Sequence, residues 1–199
     1  MRPTLLPRTV LLLIPLGIVP AMARGAETPR LQVPSGWRIE DTEYPPAWAK
    51  TLPWKGRLQL RFPPGFFREN DDYAWSYPIF YWLEGNVLEK QADFDRALRA
   101  YDAGLYRGQF AAQKIKIEFG KSQMTTKHSH AVVRRSITFH GFDPFVTKQP
   151  LTTHLEVFRW YCPEADHTAV LILRTPHPFD AEDKVWKDLL QFWEKVDCS

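Results

Sequence analysis

The sequence predicts an α+β fold: a predominantly antiparallel sheet of about six strands with two main helices packed on it. Three observations point there. Short segments alternate apolar and polar residues, two stretches near 87–107 and 180–196 have helical period, and connections such as 141–150 have hairpin length. With 44% hydrophobic and 25% charged residues in a chain of 199, the composition is that of an ordinary folded protein and excludes a disordered or collagen-like one.

Residues 1–23 are expected to be a secretory signal peptide. Arg2 and Arg8 precede the apolar run 10–19, and Ala21-Met22-Ala23 forms a small-x-small cleavage site. The run is about half the ~20 residues that a spanning helix needs, and no later stretch is longer. The mature chain is therefore expected outside the cytoplasm, periplasmic or secreted, without a membrane span. Removing Arg2 and Arg8 lowers 26 basic residues to 24, against 23 acidic ones. So balanced a chain offers little to a phosphate backbone, and nucleic acid is excluded as a partner.

The elements follow in order. Residues 37–40 read as a short strand and 41–55 as an irregular Pro/Trp-rich loop carrying Trp48 and Trp54, so 24–55 precede an α+β domain at 56–199 within one folding unit. In 57–62, Leu58, Leu60 and Phe62 alternate with Arg57, Gln59 and Arg61, as in a half-buried strand. Residues 76–83 are apolar or aromatic on both faces, which suits the interior of a sheet. Ile115, Ile117 and Phe119 alternate with Lys114, Lys116 and Glu118, and Val133, Ile137 and Phe139 share one face. Segments 151–162 and 168–175 complete the set.

Phe94, Ala97, Leu98, Tyr101 and Leu105 form the stripe of the first helix, which Gly108 stops. Val185, Trp186, Leu189, Leu190, Trp193 and Val196 form that of the second, with Asp180 as its N-cap. Phe80, Val170 and Ile172 leave open a third layer or a homodimer.

Cys162 ends a strand-like segment and Cys198 follows the last helix-like one. In an oxidising compartment the two are expected to pair, stabilising the chain by roughly 3–4 kcal/mol. The order of a strand, Pro63-Pro64-Gly65, a helix, a meander and a closing helix resembles the PsbP-like exported domains. That resemblance implies an α+β fold and brings no functional residue with it.

No Gly-x-Ser-x-Gly, His-Glu-x-x-His, Gly-x-Gly-x-x-Gly, P-loop or EF-hand pattern occurs, and no cofactor is expected. His128 and His130 are metal candidates, since on an extended segment their imidazoles lie on one side about 7 Å apart. His140 is too far along a straight strand to be a third ligand. Pairing the strands around 141–150 core face to core face sets Arg134 opposite Glu156 and His154 opposite Ser136. A base, an anion-stabilising guanidinium and a hydroxyl together make His154, Glu156 and Arg134 the centre of an alternative, hydrolytic reading.

Phe80, Trp82, Phe158 and Trp160 fall on the polar side of their strands and form the expected ligand-binding face. The leading expectation is thus an exported, non-catalytic accessory or binding domain of the cell envelope, recognising a glycan, small ligand or partner protein. A hydrolase and a metal-binding envelope protein are the alternatives.

Overall fold

A computed structural model describes residues 28–198; the leader read at 1–23 lies outside them. The chain forms β1 (Arg38–Tyr44), β2 (Gly56–Phe62), β3 (Tyr77–Glu84), α1 (Gln91–Tyr106), β4 (Lys116–Lys127), β5 (His130–Phe142), β6 (Pro150–Cys162), β7 (His167–Thr175) and α2 (Lys184–Lys195). All seven strands pair antiparallel in one sheet of order β1-β2-β3-β7-β6-β5-β4.

The sheet has seven strands where about six were expected, and β1 runs past the short strand read at 37–40, pairing with β2 from Arg38 opposite Phe62 to Tyr44 opposite Gly56. Part of the presumed loop 41–55 is therefore an edge strand. Its sequence, RIEDTEY, carries a single apolar or aromatic residue on each face, Ile39 and Tyr44, so the alternation that marks a half-buried strand is missing.

Period two divides the apolar residues between the two faces, and each helix covers one. On one side, Phe94, Ala97, Leu98 and Tyr101 of α1 pack with Leu58, Leu60, Ile79, Tyr81, Val170 and Ile172. On the other, Val185, Trp186, Leu189 and Phe192 of α2 pack with Phe80, Leu171, Leu173 and Phe158. The result is a three-layered body.

Both helices are shorter than their periodic stretches. Asp183, not Asp180, caps α2, accepting from the Trp186 amide at 3.0 Å, while residues 180–183 form a turn. At the far end of α1, Arg107 takes a left-handed φ of 47°, and Gly108 follows at 80°.

Gln59 and Arg61 belong to the polar alternation of β2 but are buried. The extended segment before β1 crosses them: Leu31 donates its amide to Gln59 Oε1 at 3.0 Å, and Arg61 Nε donates to the Leu31 carbonyl at 3.0 Å. Asp41 also accepts from Arg61 at 2.5 Å. Backbone and carboxylate satisfy these buried donors, as burial requires. Cys162 and Cys198 form a disulfide across 36 residues, tying the end of β6 to the chain that leaves α2.

Candidate functional site

The four aromatic residues expected to meet a ligand lie beneath α2. Phe80, Trp82, Phe158 and Trp160 are all buried, and Trp193 of α2 stacks on Phe158 at 4.3 Å between centroids. The apolar stripe of α2 needs an apolar surface, and the side of the sheet not covered by α1 supplies it. This face is a core, and the ligand-binding role expected of it is corrected.

The His154/Glu156/Arg134 group also resolves differently. The β5–β6 register is displaced by two residues from the expected one, so Arg134 faces Phe158, Ser136 faces Glu156 and Thr138 faces His154. A two-residue displacement keeps every side chain on its face. Arg134 thus still reaches Glu156 diagonally, Nε donating to Oε2 at 2.8 Å, while Ser136 Oγ donates to the other carboxylate oxygen. Glu156 is 1% exposed. Among the described residues no hydrogen bond joins His154 to either partner. Burial, with His140 nearby, pushes its pKa below the usual histidine value. A carboxylate so occupied serves as a buried ion-pair partner and is poorly placed to accept a substrate proton.

His128 and His130 do not share a straight strand. His128 and Ser129, with φ of 46° and 69°, form the two-residue turn between β4 and β5. His130 does come within 4.8 Å of Asp197 and Cys198. The Cys198 sulfur, however, is bonded to Cys162. That leaves an imidazole and a carboxylate, too few for a metal centre.

The cleft that the sequence reading did not identify lies on the α1 side. Its floor is Leu60 and Phe62 of β2, Tyr77 of β3 and Tyr101 of α1, with Gly104 and Leu105 continuing the wall. Arg38 and Glu40 of β1 border one side and Arg107, at the end of α1, another. Three loops close the rim and contribute Trp48, Phe66 with Phe67, and Phe145. The volume is about 340 Å³, within the range of small-molecule sites.

Trp48, Phe67 and Phe145 are three of the six exposed large apolar side chains among the described residues. Phe67 meets Phe145 edge-on at 5.8 Å, and Trp48 meets Tyr101 at 5.8 Å. With 37–44% of each ring left exposed, the burial forgone is roughly 1 kcal/mol apiece.

Each rim ring is held from behind. Pro63-Pro64-Gly65 turns the chain out of β2 and delivers Phe66 and Phe67. Asp143 organises the loop bearing Phe145: Oδ1 accepts from the Phe145 amide at 2.8 Å and the Val146 amide at 3.0 Å, and Oδ2 accepts from the Thr147 amide at 2.8 Å. Burial opposes its charge, but these donors win and lower its pKa.

Behind the floor, Arg174 Nη1 donates to both oxygens of Asp102, at 2.9 and 3.1 Å, and Nε donates to Thr153 at 3.0 Å. Burial disfavours the Arg174 charge, yet the Asp102 carboxylate and the surrounding tyrosines hold it protonated. Burial pushes the Tyr77 and Tyr101 hydroxyls up from the usual phenol range, so both stay protonated.

A second cleft of about 360 Å³ lies on the α2 side between Trp37, Pro63, Pro64 and the Asp188, Gln191 and Lys195 face of α2. No exposed large apolar side chain borders it. Comparison with protein-family models, curated proteins and solved structures finds no match.

Proposed function

We propose that this chain is an exported binding domain that takes up a small, flat, largely apolar ligand in the cleft between α1 and the outer strands β1 and β2. One observation carries the reading: Trp48, Phe67 and Phe145, from three separate loops, converge in the open on a preformed cavity with an aromatic floor. Exposed apolar side chains are ordinarily scattered; gathered around a cavity they mark a surface meant to be covered. Binding is favoured over hydrolysis because Glu156 and Arg134 are committed to each other away from this cleft.

Export is supported by the leader reading and by the Cys162–Cys198 bond, a link that persists in oxidising compartments. The resemblance in element order to PsbP-like exported domains belongs to the same proposal.

The test uses N-phenyl-1-naphthylamine, a neutral dye that fluoresces in apolar surroundings. Saturable binding near one dye per chain is expected, with a loss of at least tenfold in affinity in a Trp48→Ala, Phe67→Ser double variant. A Met124→Ser variant, which removes an exposed apolar side chain on β4, should bind as the parent does. Equal binding by all three proteins would refute the assignment.

A further inference from the structure

The charges at the mouth of the cleft narrow the class of ligand, an inference that rests on the cleft reading above. Arg38 and Arg107 border the opening, and Glu40 is the single acid among the lining residues. Arg38 already pairs with Glu40, and its guanidinium carbon lies 5.9 Å from the Phe62 centroid and 5.7 Å from that of Phe67. One cation thus occupies the ring faces and compensates the acid.

Arg107 is exposed and has no ion-pair partner among the described residues. Two guanidiniums against one carboxylate leave the mouth positive. The end of a helix favours cations, which works against an anion here. That opposition is weakened because the Gly104 carbonyl is already bonded by the Arg107 amide and the Tyr106 carbonyl by the Gln109 amide. A full guanidinium charge outweighs what remains.

The cavity lining offers few neutral hydrogen-bonding groups: among its side chains only Trp48, Tyr77 and Tyr101 carry one. A polyhydroxylated ligand would leave many groups unpaired there. A cationic one would compete with Arg38 for the rings.

We propose that the cleft binds an anionic amphiphile: a flat apolar body seated among Trp48, Phe67 and Phe145, with a carboxylate or similar acid at the mouth held by Arg107 with help from Arg38. Guanidinium suits such a group because its paired N–H donors match the two carboxylate oxygens.

Three probes of one shape and different charge test this by equilibrium dialysis against the full chain: 2-naphthoate, 2-naphthalenemethanol and 2-naphthylmethyl-trimethylammonium. Naphthoate should bind about five- to tenfold more tightly than the alcohol, as a partly exposed charge-assisted contact allows. Arg107→Gln should bring that ratio toward one, and 0.5 M salt should erode it in the parent protein. If the alcohol equals naphthoate, or the ammonium binds tightest, the anionic assignment falls while the cleft stands. If no probe binds, or binding ignores Phe67→Ser, the cleft reading fails as well.

Discussion

Gly104 and Trp48 are packed so closely that a Cβ on the glycine would lie 2.3 Å from the Trp48 carbonyl oxygen. Glycine in a helix costs about 1 kcal/mol relative to alanine. Here it lets the backbone of the Trp48 loop rest against α1, which places the indole at the cleft. Gly104→Ala therefore trades a helix gain of about 1 kcal/mol for a displaced loop. The expected net loss is about 1–2 kcal/mol in urea unfolding, with weaker binding of the neutral naphthylamine dye. A variant that is more stable and binds equally well would show that the loop does not depend on this contact.

Asp143 governs the opposite side of the rim. Asp143→Ala removes the acceptor for three part-buried amides of the Phe145 loop and should cost about 1–2 kcal/mol, since water replaces that acceptor only in part. The sign of the pH effect follows from its lowered pKa. A carboxyl depressed on folding contributes stability that is fully present above its unfolded value near 3.9 and lost as pH falls through the folded value. Urea unfolding between pH 6 and pH 2.5 should show the parent protein losing more stability than the variant over the acid end. Parallel curves would contradict the assignment.

Much of this body was legible in the sequence. Period-two alternation marks β2, and two long amphipathic stripes mark α1 and α2, because strand and helix impose different spacings on apolar residues. The side each helix covers was not legible. A segment such as β3, apolar in both directions, fits a helix over Phe80 and Trp82 equally well with one over Ile79 and Tyr81. The cleft was hidden for a related reason. Trp48, Phe67 and Phe145 come from three loops without periodicity, and only the tertiary fold brings them together. Pro63-Pro64-Gly65 was the available hint, since so stiff a turn fixes the direction in which the two following phenylalanines leave the sheet.

Arg134 and Glu156 provide a test that separates a structural ion pair from a catalytic one. Arg134→Met would leave a buried carboxylate with Ser136 as its remaining hydrogen-bond partner, and the expected loss is about 3 kcal/mol. Replacing both partners, as Arg134→Met with Glu156→Leu, should recover much of that loss, because the uncompensated charge is gone. A double-mutant cycle in urea measures the coupling. Coupling near zero would mean that the pair contributes nothing to the fold and would reopen the question of what Glu156 does.

The disulfide fixes α2 from the end opposite its Asp183 cap. Lys127 of β4 reinforces the same end, donating from Nζ to the Trp193 and Val196 carbonyls and lying 4.2 Å from the Trp193 ring centroid. Cys162→Ser with Cys198→Ser frees a loop of 36 residues in the unfolded chain, and the stability loss should be roughly 3–4 kcal/mol. Native-state hydrogen exchange can place that loss. If the bond acts mainly through α2, amides of residues 186–193 should exchange faster by a larger factor than those of β7, which lies at the centre of the sheet. Because α2 packs on the face opposite the cleft, dye binding should persist at low temperature while the helix loosens. A variant that loses dye affinity in step with α2 protection would mean that the two faces of the sheet are coupled, and the cleft would then have to be treated as part of a single cooperative unit with the helix behind it.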